Sequence, residues 1–171
     1  MKTIHEEFHY DRAPEELFAQ ISRGSFQLEI IHHLGGKDAE LVEQTVFSDG
    51  GVKVVTRQRT GVELPGFARK LIPAITTVTN TYVWQPARRD GSRSGTWLAE
   101  IKGAPLSMGG PTELRAAGSG SVHIFNGEVK ASVLVVGGKL ESLALDRLHR
   151  ELTRAAAFTA DRLVSCKADE C

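Results

Sequence analysis

The feature that most constrains the fold is a C-terminal segment, GGKLESLALDRLHRELTRAAAFTADRLVS, whose pattern predicts one long amphipathic helix. Apolar and small side chains recur at three- and four-residue spacing and form one stripe, as in a helix with one buried face. The stripe contains Leu140, Ala144, Leu148, Leu152, Ala155, Thr159 and Leu163. The opposite side contains Glu141, Arg147, Arg150, Glu151, Arg154 and Arg162. Such a stripe must be buried, so the rest of the chain has to supply a broad apolar surface.

The preceding sequence supplies that surface as short strands. Period-two patterns predict strands at 2–10, 39–48, 51–60, 75–84, 96–102, 112–117 and 121–136. Two short helices follow the first strand, one starting in DRAPEELFAQI with Asp11 as a cap and one at 26–33. Hairpin turns join the six middle strands, so they form an antiparallel meander onto which the first strand closes.

The predicted fold is therefore α+β: a curved antiparallel sheet of about seven strands around a long C-terminal helix, with two short helices after strand 1. Ala144 and Ala155 lie between leucines of the stripe. Because their side chains are small, the sheet is not filled from the helix side, and we expect an internal apolar cavity.

Length and charge limit the domain organisation and the partners. The 171 residues suit one domain, predicted at 1–166 with a tail at 167–171. The formal net charge is zero, so we expect no nucleic-acid partner.

The N-terminus lacks the apolar region of a signal peptide, and no run reaches the ~20 apolar residues of a membrane span. We expect a cytoplasmic protein, either a monomer or a homodimer. Cys166 and Cys171 are expected to be reduced and to have no functional role. A tail disulfide and a metal site shared between chains are the alternatives.

Local signatures strengthen the fold prediction. LPGFARKLIPAITTVTNTYVW, a turn with Asp90 and Gly91, GAPLSMGG, and the strand VKASVLVV running into GGKLESLALDRL occur in that order. This order resembles the helix-grip fold of the START-related SRPBCC superfamily, and in particular a bacterial branch of polyketide cyclase- or lipid-transport-like domains. The superfamily includes birch-type pollen allergens, lipid-transfer domains and polyketide cyclases. We expect Gly137 and Gly138 to form the sharp corner between the last strand and the helix.

Several motifs point to other chemistry but have simpler interpretations. His5 to His9 spells H-E-x-x-H, yet two histidines on a strand lie about 13 Å apart, too far to share a zinc ion. We therefore predict no metal site and no cofactor. His32 and His33 are explained by the end of a helix, and Gly118 to Gly120 by a turn. A loop containing Arg88, Arg89 and Arg93 is predicted to be solvated, with contact to an anionic headgroup as the alternative.

The residues 64–75 suggest either a short helix packed on the rim of the sheet or a gate to the cavity. Phe67 and Leu71 give this segment an apolar face. Both interpretations remain open at this point.

The preferred hypothesis is non-enzymatic binding or transport of a hydrophobic small molecule, such as a lipid, isoprenoid or polyketide. The predicted ligand-binding residues are Phe8, Gln58, Phe67, Leu71, Asn80, Tyr82, Trp84, Trp97, Phe125, Leu148, Leu152 and Ala155. Thr56 shares their inward parity. One alternative is a cyclase- or dehydratase-like enzyme, for which His123, Glu100 and Tyr82 are the acid–base candidates. A second alternative is a protein-interaction module whose cavity has collapsed.

Overall fold

The computed structural model describes the backbone of residues 1–168 and the side chains of residues 1–164. Its elements are β1 (Lys2–Tyr10), α1 (Pro14–Ile21), α2 (Gly24–His33), β2 (Lys37–Val46), β3 (Val52–Gly61), α3 (Gly66–Arg69), β4 (Ile75–Trp84), β5 (Arg93–Ile101), β6 (Leu106–Ala117), β7 (Gly120–Ala131) and α4 (Gly137–Ala168). The Cys166 side chain and Cys171 lie outside the described residues, so the interpretation of the tail thiols stays a prediction.

The seven strands form one curved antiparallel sheet in the order β1-β7-β6-β5-β4-β3-β2. β1 closes onto the β7 edge, with Lys2 opposite Val129 and Tyr10 opposite Ser121. The helix α4 packs against β1, β7 and α2. The predicted α+β helix-grip architecture is confirmed. No helix in the described part of the chain is long and apolar enough to cross a membrane.

One end of the sheet is filled by large side chains around α1, and we call it the filled end. Phe18 contacts Trp84 edge to face at 5.7 Å, and Phe26 stacks on Phe158 of α4 at 5.8 Å. Its buried residues are Tyr10, Leu17, Phe18, Ile21, Phe26, Val52, Val54, Trp84, Leu114 and Leu163. This cluster anchors both short helices and the end of α4 to the sheet.

The junction between β7 and α4 differs from the prediction. β7 ends at Ala131, opposite Leu106, and one more backbone hydrogen bond follows, from the Ser132 N–H to the Pro105 carbonyl at 2.9 Å. Residues 132–136 form a turn in which Leu134 and Val135 are fully exposed, despite their strand propensity. Gly137 and Gly138 are the first residues of α4, and an added Cβ at Gly138 would meet no atom within 4 Å. The predicted glycine corner is wrong.

Glu141 was expected on the charged side of α4 and is instead buried. Its Oε1 accepts a hydrogen bond from the Ala131 N–H at 2.9 Å, and its Oε2 accepts one from the N-terminal ammonium group at 2.7 Å. The Ala131 N–H and then the ammonium group lower the pKa of this carboxyl. Glu141 therefore ties the start of α4 to the end of β7 and to the N-terminus.

Three further boundary and loop predictions need correction. Ala13, not Asp11, is the N-cap residue of α1, and no side chain caps that helix. The helix α2 starts at Gly24, whose N–H donates to the Gln44 Oε1 at 2.8 Å. Arg93 is the first residue of β5, and its guanidinium lies 3.7 Å from the centre of the Phe18 ring. It is a structural link between β5 and α1, not part of a solvated loop.

Candidate functional site

The sheet and α4 enclose a main cavity of about 310 Å³. The helix makes its principal sheet contacts with β1 and β7, and it faces β3, β4 and β5 across this space. Volumes of this order accommodate drug-sized ligands in proteins. The cavity is therefore a direct consequence of how α4 crosses the sheet.

Alternate residues of the middle strands line the main cavity, as the strand period requires. On β4 these are Thr76, Val78, Asn80 and Tyr82, and on β5 they are Trp97, Ala99 and Ile101. Apart from Tyr82 and Trp97, these side chains are small or of medium size. From the helix, the cavity receives Leu140, Leu143, Ala144, Leu148, Leu152 and Ala155. The small residues of the predicted stripe thus face the open space.

A few polar groups lie on the inner wall. Thr56, Gln58 and Asn80 line the cavity, and Thr56 is opposite Asn80 in the pairing of β3 with β4. The Gln58 Oε1 is buried without a hydrogen-bond partner among the described residues. A buried amide oxygen without a partner costs free energy, so it is available to a hydrogen-bond donor on a ligand. These three residues form a polar group on the sheet side of the wall.

The charged members of the lining stand together on one side of the cavity, between α4 and the segment after β3. The Arg147 Nε donates to the Glu151 Oε1 at 2.7 Å, and its Nη2 donates to the Thr60 Oγ1 at 3.2 Å. Arg150 and Glu63 are exposed and also belong to the lining. Because charges stay in contact with water, this side is the mouth of the cavity.

A second, smaller space of about 70 Å³ adjoins the main cavity toward the filled end, and we call it the inner compartment. Its wall shares Gln27, Ile30, Tyr82, Leu152 and Ala155 with the main cavity. The remaining wall residues are Phe8, Tyr10, Ile21, Trp84, His123, Phe125, Ala156 and Thr159. Only side chains therefore separate the two spaces.

Among the described residues, His123 is the only histidine on the wall of the inner compartment. Its ring lies 4.2 Å from the Phe125 ring and 5.6 Å from the Trp84 ring, measured between centroids. Its Nε2 is 3.0 Å from the Thr112 Oγ1, and that hydroxyl donates to the Ile124 carbonyl at 2.8 Å. The ring is thus held at a fixed orientation between two aromatic rings and one hydroxyl.

Burial controls the protonation of both titratable candidates in this region. It lowers the pKa of His123 to about 3, so the imidazole is neutral near pH 7. It raises the pKa of Tyr82 to about 12, so the phenol keeps its proton. Both groups are consequently uncharged at physiological pH.

The structure brings most of the predicted ligand-binding residues together, in two groups. Gln58, Asn80, Tyr82, Trp97, Leu148, Leu152 and Ala155 line the main cavity. Phe8, Trp84, Phe125 and the candidate His123 line the inner compartment, which Tyr82, Leu152 and Ala155 also border.

Three predicted site residues lie elsewhere. Phe67 and Leu71 pack against a rim cluster formed by Leu64, Ala68, Ile72 and Leu140, and only Leu64, Ile72 and Leu140 of that cluster reach the cavity. Glu100 is exposed on the outer face of β5, because its neighbours Ala99 and Ile101 take the inward positions. Glu100 is therefore not positioned to act in the cavity.

The interpretation of α3 as a packed rim helix fits its contacts. Ala68 is fully buried, and the Arg69 Nε donates to the Leu64 carbonyl at 2.8 Å. The segment also borders the cavity through Leu64 and Ile72. The role of a gate stays a proposal.

Sequence reasoning missed the contribution of α2. Gln27, Ile30, Ile31 and Leu34 line the main cavity. Their spacing of three, four and seven residues places them on one helix face, and this pattern could have identified them. The sequence analysis predicts α2 as a short helix but does not place it on the cavity wall.

The histidines of the other motifs lie outside both cavities, and His5 and His33 contact neighbouring side chains. His5 and His9 lie on strand β1, as predicted, and the His5 Nδ1 is 2.6 Å from the Asn126 Oδ1. His33 stacks on Phe158 at 4.5 Å between ring centroids. In the described part of the chain, no group of three or more His, Cys, Asp or Glu side chains is placed to hold a metal ion.

Comparison with solved structures supports the fold. The chain is similar to TTHA0849 from Thermus thermophilus, with 13% identity, a TM-score of 0.63 and coverage of 96% of this chain and 99% of that one. A STAR-related lipid transfer protein fragment from Xanthomonas axonopodis has 10% identity, a TM-score of 0.61 and coverage of 92% and 85%. Norcoclaurine synthase from Thalictrum flavum, a point mutant in complex with a transition-state analogue, has 14% identity, a TM-score of 0.55 and coverage of 97% and 96%.

At these identities the similarity concerns the fold alone, which is the helix-grip fold. The sequence matches none of the curated proteins. A family model described as "Protein of unknown function (DUF2505)" matches residues 6–163, nearly the whole of the chain. The chain therefore belongs to the DUF2505 family.

Proposed function

We propose that this protein binds an apolar small molecule in the main cavity, as a carrier or sensor and without chemical conversion. The observation that carries the proposal is the 310 Å³ space with a largely apolar wall and a small set of polar groups. Ligand sites of proteins combine these same features. The similar fold of a lipid transfer protein is consistent with this function.

A cyclase- or dehydratase-like enzyme is the second candidate, because His123 and Tyr82 border the same compartment. Their protonation argues against it. A base with a pKa of about 3 has little affinity for a proton at pH 7, and a phenol with a pKa of about 12 is a weak acid there. The open volume likewise argues against an interaction module with a collapsed cavity.

The test is a fluorescence titration with the neutral apolar dye N-phenyl-1-naphthylamine, combined with native mass spectrometry of the purified protein. We expect saturable binding of one dye molecule at micromolar concentration, about −8 kcal/mol. A co-purified apolar molecule that the dye displaces would support the proposal further. A folded protein that shows no saturable dye binding would contradict it.

A further inference from the structure

The inner compartment contains one hydrogen-bond acceptor whose chemistry follows from its neighbours. The Thr112 hydroxyl has a single hydrogen, and it donates this hydrogen to the Ile124 carbonyl at 2.8 Å. Toward the His123 Nε2 at 3.0 Å, the same oxygen can therefore only accept. The Nε2 carries the ring proton, and in a neutral imidazole the Nδ1 is then a bare acceptor.

The partners of these groups leave the Nδ1 available. Among the described residues, Thr112 is the only hydrogen-bond partner of the His123 ring. His123 is 6% exposed as a residue and its ring borders the compartment, so the free nitrogen has little access to bulk water. A buried acceptor in this state gains from any donor that enters the compartment.

Tyr82 offers the complementary group at the junction with the main cavity. Its hydroxyl has no hydrogen-bond partner among the described residues, and burial keeps it protonated. Two other polar side chains of the wall have partners of their own: the Gln27 amide nitrogen donates to the Ile21 carbonyl, and Tyr10 bonds to Thr159. The His123 Nδ1 and the Tyr82 hydroxyl thus offer an acceptor and a donor to the same small space.

We propose that the inner compartment is a subsite for an uncharged hydroxyl group of the ligand, which donates to the His123 Nδ1 and accepts from the Tyr82 hydroxyl. The ligand class is accordingly an apolar alcohol or phenol. A carboxylate has no hydrogen for the Nδ1, and among the described residues no cationic side chain borders the compartment to balance its charge. This inference rests on the proposed function, because the rest of the ligand occupies the main cavity.

The test uses competition against bound N-phenyl-1-naphthylamine with three matched probes: farnesol, its methyl ether and farnesoic acid. The ether keeps the oxygen as an acceptor but lacks the hydrogen that the Nδ1 requires. We expect farnesol to displace the dye at about three- to tenfold lower concentration than the ether, with the acid weakest at pH 7.

Two variants separate the two hydrogen bonds. In His123→Gln the side-chain amide can still donate to Thr112, but the Nδ1 is lost, so the preference for farnesol over the ether should disappear. In Tyr82→Phe the donor is lost, so farnesol and the ether should both weaken while their ratio is kept. Glu100→Gln on the outer face is the control and should change neither affinity.

The outcomes distinguish this subsite from the proposed function. Dye binding with equal affinities for farnesol and its ether in the parent protein would overturn the subsite and leave the proposed function standing. A preference for farnesol that survives His123→Gln would also overturn it. If His123→Gln does not fold, Tyr82→Phe decides: affinities for both probes that match the parent contradict the subsite. No dye binding at all would overturn both proposals.

Discussion

The filled end and the main cavity lie on the same face of one sheet, yet they differ in the size of their side chains. Around α1, Phe18 packs on Trp84, and Phe26 of α2 stacks on Phe158 of α4. In the middle of the sheet, Thr76 and Ala99 line the same cavity as Ala144 and Ala155 of α4, and the gap stays open. Side-chain volume, not a change of backbone architecture, thus decides where the protein is packed and where it can receive a ligand.

A matched pair of leucines should give the largest difference between these regions. Leu114→Ala in the filled end removes a fully buried side chain, and we expect a loss of about 3–5 kcal/mol in the free energy of unfolding. Leu148→Ala on the cavity wall should cost less than about 2 kcal/mol, since that side chain already borders open space. Urea denaturation of both variants measures this. Equal losses would contradict the distinction between the two regions.

His123 lies in the inner compartment, between the filled end and the main cavity, and should make the free energy of unfolding depend on pH. The pKa of His123 is about 3 in the folded protein and about 6.5 in an unfolded chain. Between these values only the unfolded state binds the proton, so the free energy of unfolding falls as the pH decreases below about 6.5. We expect His123 to account for a loss of about 3 kcal/mol between pH 7 and pH 4.

Urea denaturation across this pH range measures that loss in the parent protein, in His123→Gln and in the control His149→Gln. Tyr82 does not interfere, because its pKa of about 12 lies far outside the range. His123→Gln should flatten the profile, and His149→Gln should keep the loss that comes from His123, because His149 is an exposed residue bonded to Glu6 and lines neither cavity. A parent profile that matches that of His123→Gln would contradict the neutral, buried state of the ring.

The smallest effect concerns two buried polar atoms, one in each region. The Ser121 Oγ near the filled end and the Gln58 Oε1 at the cavity have no hydrogen-bond partner among the described residues. Ser121→Ala should raise the free energy of unfolding by up to about 1 kcal/mol and leave dye binding unchanged. Gln58→Leu should change the dye dissociation constant by about threefold. Urea denaturation and dye titration of both variants check this. A dye dissociation constant of Gln58→Leu equal to that of the parent protein would contradict the assignment of Gln58 to the wall of the binding cavity.

The sequence predicted the regular parts of the fold well. Strand β4 has the predicted bounds, and the stripe of α4 faces inward as its spacing indicates. Residues 132–136 were misassigned because β-branched residues favour a strand only where a neighbouring strand can pair with them. Glu141 was misplaced because helical periodicity does not show a hydrogen bond to a distant backbone amide or to the N-terminus.

The candidate site was predictable to the extent that strand parity determines it. The inward position of Trp97 on β5 already implies that Glu100 points outward, so that candidate could have been excluded from the sequence. Phe67 and Leu71 could not be assigned, because a four-residue helix does not show which side packs on the rim. The inner compartment depends on how α2, α4 and β7 approach each other, and no local pattern encodes that distance.

The most direct test of the account is Ala155→Trp, since Ala155 borders both the main cavity and the inner compartment. The account predicts that the indole fills the open space, so dye affinity falls at least tenfold while the free energy of unfolding changes by less than about 1 kcal/mol. Ala68→Trp is the matched control, because Ala68 is fully buried in the rim cluster and lines neither space, and it should cost about 1–3 kcal/mol or more. If Ala155→Trp is as destabilising as this control, and the parent protein binds no dye, the main cavity does not exist in solution as described.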